Sequence, residues 1–499
     1  MSDQGRNRRS TPSNGRPRGA QGSPEGRRAG QRGPVRTVQP ARRVAYDVLR
    51  AVSETDAYAN LVLPSAIAEA RLTPQDAALA TELTYGTLRR LGTYDAIIAA
   101  AADRSPDSID PAVLDALRLA VHQLLATRVA SHAAVNESVN LVATESGRGA
   151  SSFANAVLRR IARESAEDWH ARIEEQARSD DERLALRSAH PVWVIRALRR
   201  ALAAEGRGDE LEALLHADNA SPEVTLVALP GLAEPGEPRL PYAPTAFASP
   251  GGDPRRPVEE SGGTVRVQDE GSQLVALALA GAAPIAAGER WLDLCAGPGG
   301  KTALLAAVAR QHDVTLEANE IVPVRARLVR KALRAVPGDV VVHEQDGRAL
   351  AASRPGEFDR ILVDAPCTGL GALRRRPEAR WRKSPADVAE LVPLQVELLS
   401  AALDALAPGG IVAYVTCSPH LAETTGVVKE VLRDRADIVE LDARAAVAEV
   451  ALSPIDLADE GRVGSGSAQL WPHRHGTDAM FLALLQRSSD EHTSPGKED

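Results

Sequence analysis

Between Ala41 and about Ala162, apolar residues recur at three- and four-residue spacing. VAYDVLRAV (44–52), ALATELTYGTLRRL (78–91), AVLDALRLAVHQLLA (112–126), HAAVNESVNLVA (132–143) and FANAVLRRIA (153–162) each show it. They predict a small helical bundle with polar breaks such as DRSPDSID (103–110). Residues 163–216 continue the helical pattern. Residues 217–267 break it: they are rich in Pro and Gly, with β-like pieces EVTLVAL (223–229) and TVRVQ (264–268). This predicts a small connecting module.

From about Asp269 the pattern changes to strand and helix in alternation. Strands are expected at RWLDLC (290–295), DVTLEANE (313–320), DVVVHEQD (339–346), FDRILVDAP (358–366) and GIVAYVTCS (410–418). Helices are clearest at 301–311, 322–335 and 388–407, and AMFLALLQ (479–486) suits a last, antiparallel strand. Apolar strands alternating with amphipathic helices predict an α/β, Rossmann-like doubly wound domain with a mostly parallel sheet. The expected organisation is a disordered basic arm at 1–40, a helical domain at 41–165, a helical linker with a small α+β module at 166–267, the α/β domain at 268–487 and a disordered tail at 488–499.

Composition changes this picture in a few places. Of 499 residues, 44% are hydrophobic and 25% charged, as in soluble globular proteins. No run approaches the ~20 apolar residues of a membrane span, and no apolar signal-peptide core opens the chain. Three cysteines make no disulfide framework, so a reducing cytoplasm is the expected location. The net charge of −8 conceals an asymmetry, because residues 1–40 hold nine Arg against Asp3 and Glu25. Such an arm attracts nucleic-acid phosphates or simply solubilises the chain.

Ligands of doubly wound folds bind beyond the carboxyl ends of the strands. The first of these strand ends carries Asp293 and then the loop Cys295, Ala296, Gly297, Pro298, Gly299, Gly300 and Lys301. Gly300-Lys301-Thr302 partly matches a phosphate-binding loop, but Cys295 stands where its first glycine belongs. The second strand ends at Glu320, suited to ribose hydroxyls, and the third at Asp346, suited to an adenine amino group. Together these features suggest S-adenosylmethionine, a nucleoside without polyphosphate.

Every cysteine falls at the end of an expected strand: Cys295 on the first, Cys367 after Asp364 on the fourth and Cys417 on the fifth. A lone cysteine is usually a small buried hydrophobe, and Cys295 is read so. Two thiols facing one crevice imply chemistry. Carbon 5 of a pyrimidine has no lone pair, so its methylation requires a nucleophile to add at carbon 6 first. A thiolate does this, and Asp364 could hydrogen-bond the ring and stabilise developing charge.

DLCAGPGGK, ILVDAPCTGLG, RRRPEARW, YVTCS and TDAMFLALL resemble the RsmB/Sun family of ribosomal-RNA (cytosine-5)-methyltransferases, and segment 41–162 looks like the NusB-type RNA-binding domain that such enzymes carry. By that resemblance Cys417 is the nucleophile, Cys367 assists loss of the carbon-5 proton and release of the adduct, and 295–301, Glu320, Asp346 and Asp364 line the cofactor and base pocket. The chain departs from the pattern at Glu320, where relatives have Asp. It also has Val227-Ala228-Leu229 where they carry Arg-x-Asn, and Asp478-Ala479-Met480-Phe481 in place of Asp-Gly-Phe-Phe.

The basic run RRRPEARWRK (374–383) suggests an RNA-backbone contact through Arg374, Arg375, Arg376, Arg380, Arg382 and Lys383, with Trp381 free to stack or to pack. The expected partner is RNA, foremost 16S ribosomal RNA, with tRNA as an alternative substrate. The chain is expected to be monomeric, with no metal and no membrane. A non-catalytic ribosome-assembly factor is the reading from another class, and a phosphate-binding NTPase a distant third.

Overall fold

The computed structural model describes residues 38–55, 57–459 and 466–489. The expected arm therefore lies almost wholly outside the described residues, as does all but the start of the expected tail. Six helices open the described chain: Pro40–Thr55, Ala59–Glu69, Pro74–Arg89, Leu91–Ala102, Pro111–Ala126 and Ser131–Ile161, the last kinked at Gly147. Thr73 and Asp110 cap two of them, each followed by a proline that needs no hydrogen-bond partner for its nitrogen. Their apolar faces meet in one core around Tyr46, Leu83, Leu88, Ile97, Ile98 and Leu117. Trp169 and Ile173, on helix Ala166–Glu174, complete that core.

Three strands form the small module: β1 (Thr225–Ala228), β2 (Ala246–Ala248) and β3 (Val265–Val267), antiparallel in the order β2-β1-β3. The main sheet contains β4 (Arg290–Asp293), β5 (Thr315–Asn319), β6 (Val341–His343), β7 (Phe358–Asp364), β8 (Leu406–Thr416), β9 (Ile438–Leu441), β10 (Ala468–Gln469) and β11 (Phe481–Arg487). Its order is β10-β11-β8-β7-β4-β5-β6, with β9 also paired to β11. Strands β4 to β8 run parallel, and β11 is antiparallel to β8 as its pattern predicts. Apolar residues on both faces bury these strands between helices.

Chain order reverses between β4 and its two neighbours, β5 and β7. A crevice opens at such a switch point, beyond the carboxyl ends of the strands. The loops after β4, β7 and β8 converge there. Among the described residues no helix is long and apolar enough to cross a membrane.

Candidate active site

Cys367 and Cys417 meet across the ends of β7 and β8, with their Sγ atoms 3.4 Å apart. The spacing of apolar residues sets this up, because the parallel register pairs Asp364 with Val415 and leaves both following loops on one side. The glycines after Cys367 then let the loop close. The Gly371 amide donates to the Cys417 carbonyl at 2.8 Å, and a Cβ on Gly371 would stand 2.0 Å from the Ala479 carbonyl oxygen. No side chain fits there.

The two thiols differ in their surroundings. The Cys367 hydrogen bond, with the charges of Arg376 and Lys301, holds the Cys417 thiol below its usual range against burial and the charge of Asp364. Cys367 is pushed well above its usual range by Cys417, by burial and by the charge of Glu423. These surroundings favour a thiolate on Cys417 over one on Cys367, and either sulfur can donate across their contact. Cys295 is different: burial, together with Asp293, Asp364 and Glu320, pushes its thiol up, and it packs against the core beneath the glycine loop.

Lys301 opens the helix Gly300–Gln311, and its Nζ donates to Asp364 Oδ2 at 2.9 Å. Burial opposes its charge, but Asp364 raises the ammonium above its usual value. Asp293, behind the loop, is fully buried with Thr302 Oγ1 donating to one carboxylate oxygen at 2.6 Å. Burial pushes its carboxyl up to about 7.

Glu320 follows β5 directly and lies only 3% exposed. It accepts the amides of Gly297 at 3.0 Å and Val322 at 2.9 Å, so it braces the glycine loop. Gly299, at φ +100°, seats that loop against Val329 of the helix Pro323–Leu333. Asp346 lies three residues beyond β6 rather than on its end; it caps the helix Gly347–Ala352 and pairs with Arg348. Asp293, Asp364 and Glu320 surround the loop, and its two cations are committed, Lys301 to Asp364 and Arg325 to the Gly297 carbonyl and Glu320. That chemistry suits a neutral sugar and a cationic sulfur and would repel a polyphosphate, so the residues fit S-adenosylmethionine.

The basic run is corrected by its contacts. Of its six cationic residues, Arg376 alone is exposed. Arg374 and Arg375 pair with Asp269 and Asp478. Arg380, 0% exposed, donates to the carbonyls of Arg89, Ala189 and Asp218 and to the Asn219 amide oxygen. Arg382 reaches the carbonyls of Val52 and Ala57, and Lys383 pairs with Asp387. Trp381 donates to the Leu88 carbonyl at 2.9 Å and packs on Gly92. Arg376 apart, the run joins the helical domain to the Cys367 loop, because the partners of every other cation but Lys383 come from distant parts of the chain. Buried Glu423, absent from the sequence reading, accepts hydrogen bonds from Thr368 and Ser418, the residues that follow Cys367 and Cys417. A carboxylate six positions after Cys417 was its signal.

A family model described as 16S rRNA methyltransferase RsmB/F matches residues 282–486, and a NusB family model matches 39–163. A protein of Mycobacterium tuberculosis strain H37Rv, provisionally named a methyltransferase, is 50% identical over 467 residues, which span 91% of this chain and 98% of that protein. The ribosomal RNA small subunit methyltransferase B of Pseudomonas putida is 32% identical over 419 residues, covering 80% of this chain and 91% of that protein. In fold, the crystal structure of PH0851 matches 90% of this chain and 99% of its own at a TM-score of 0.74, with 22% identity. The chain belongs to the RsmB/F family of S-adenosylmethionine-dependent methyltransferases, with a NusB-family segment ahead of the catalytic domain.

Proposed function

We propose that this protein methylates carbon 5 of a cytosine in 16S ribosomal RNA through a covalent cysteine adduct. The observation that carries the reading is the unequal pair of thiols 3.4 Å apart at the strand ends. Cys417 Sγ adds to carbon 6 of the ring, and the displaced electron pair makes carbon 5 nucleophilic. S-adenosylmethionine, when bound, supplies an electrophilic methyl group. The carbon-5 proton then leaves to water with Cys367 assisting, its C–H electron pair forms the carbon 5–carbon 6 double bond, and the Cys417–carbon 6 bond breaks with its electron pair returning to sulfur.

Asp364, joined to Lys301, faces the same pocket and hydrogen-bonds the ring edge, balancing charge as it develops. Residues 295–301, with Glu320 and Asp346, would hold the cofactor. The target base must leave its stack to reach both sulfurs, and the NusB-like domain supplies the RNA grip beside them.

The test is adduct trapping with ribosomal RNA. Cys367→Ala adds to the base but releases it poorly, so a protein–RNA band persists on a denaturing gel, and Cys417→Ala gives none. Bisulfite sequencing of RNA from a deletion strain then names the target: loss of one 16S mark fits the proposal, and loss of a tRNA mark instead moves the substrate. Absence of any trapped band and of methyl transfer by the purified protein rejects the enzyme reading.

A further inference from the structure

We propose that Glu423 is a positioning residue that fixes the distance between the two reactive thiols and keeps their roles unequal. This rests on the two-thiol reading above and assigns a role to a side chain outside the reacting pair. Glu423 closes the single turn Leu421–Glu423, beyond β8, and its side chain is fully buried. Its Oε1 accepts the Thr368 amide at 2.8 Å and the Gln395 side-chain amide at 3.3 Å. Its Oε2 accepts the Ser418 hydroxyl at 2.6 Å and the Thr368 hydroxyl.

Thr368 and Ser418 are the residues that follow Cys367 and Cys417. One carboxylate therefore holds the residue next to each sulfur, through amide and hydroxyl at Thr368 and through the hydroxyl alone at Ser418, and Thr368 and Ser418 also touch each other at 3.2 Å. The brace extends outward: Gln395 donates to the Pro366 carbonyl at 2.8 Å, and the Tyr414 hydroxyl to the Glu423 carbonyl at 2.8 Å. A buried carboxylate is retained at low cost only when its oxygens are satisfied, and here all four donors belong to the catalytic loops or the helix behind them.

The charge acts as well as the hydrogen bonds. Glu423 disfavours a thiolate on Cys367, while the cations Arg376 and Lys301 lie with Cys417. These opposed influences favour charge on Cys417 and a proton on Cys367. Neutral glutamine has one acceptor oxygen and a donating NH2 group in place of two acceptors. It leaves part of the set unmatched and removes the charge.

The experiment uses the full chain with Glu423→Gln, read by site-resolved iodoacetamide labelling against pH, by kcat and by binding of S-adenosylmethionine. The expected result is a kcat lower by about 10²-fold, as for an ångström-scale misplacement, with cofactor binding little changed. Cys367 labelling rises relative to Cys417. Loss of packing alone would not reorder the two thiols, so an active, folded variant with the wild-type labelling ratio overturns the proposal. Should the glutamine variant not fold, Ser418→Ala deletes one tether and keeps the charge; it is expected to lower kcat about tenfold, the worth of one hydrogen bond, with Cys417 still labelled first. Unchanged kcat there overturns the proposal too. A wild-type protein that neither traps nor methylates removes the two-thiol reading itself, a different result from an active wild type whose labelling ratio ignores residue 423.

Discussion

Lys301 Nζ lies 2.9 Å from Asp364 Oδ2, tying the first turn of the cofactor-loop helix to the end of β7. Its charge also acts on Cys417. Replacing Lys301 with methionine removes a cation that favours the Cys417 thiolate, so the pH at which Cys417 becomes alkylated should move upward. The shift is expected to be on the order of one unit or less, the size of a single neighbouring charge. Unmoved alkylation would show that Lys301 serves Asp364 alone. ATP hydrolysis is expected from neither protein.

Gly371 is wedged between two backbone carbonyls, those of Ala479 and Cys417. Gly371→Ala forces the Cys367 loop away from β8. The expected outcome is a kcat loss of roughly 10²-fold, with cofactor affinity little altered because the loop at 295–301 is untouched. Equilibrium binding set beside single-turnover methylation separates the two effects.

Arg380 and Arg376 should behave in opposite ways. Arg380→Ala leaves three carbonyls and the Asn219 oxygen without their buried donor. Urea denaturation should show a loss of about 3–5 kcal/mol, the cost of breaking a buried charged network. Arg376→Ala should stay within about 0.5 kcal/mol of wild type, as exposed substitutions do. Equal stability losses for the two would contradict the contacts of this segment.

Asp293 predicts a pH dependence with a definite sign. Its folded carboxyl holds a proton up to about 7, whereas an unfolded aspartate releases it near ~3.9. The folded chain binds more protons between those values, so this group's contribution to stability falls as pH rises through that window and is flat above it. Asp293→Asn abolishes the effect. His190 and His475, buried and held neutral down to about 4, act in the reverse sense in the acid range. The measurement is therefore the difference between wild type and variant in urea unfolding at several pH values. That difference should change by a few kcal/mol at most; a constant difference would rule the group out.

The strand ends were readable in the sequence because each is a run of β-branched and apolar residues stopped by Asp, Gly or Pro. Cys367 and Cys417 could be placed on neighbouring strands from chain order alone. Strands β9 and β10 were not read, since four residues of IVEL and two of AQ carry too little pattern to separate them from loop. The run at 374–383 misled for another reason. Its charges look solvated until Asp269 and Asp478, about a hundred residues away on either side, are brought against it. Glu423 was hidden in the same way, because a carboxylate gains meaning only from the donors folded around it.

The buried guanidinium of Arg380 has a practical consequence for handling this chain. A fragment cut after β3 would keep the arginine and lose the Arg89, Ala189 and Asp218 oxygens that accept from it, along with the Leu88 oxygen beneath the Trp381 indole. Such a truncation would wet a buried cation in the segment that follows the Cys367 turn. The catalytic half and its helical partner are best expressed, assayed and inherited as a single piece.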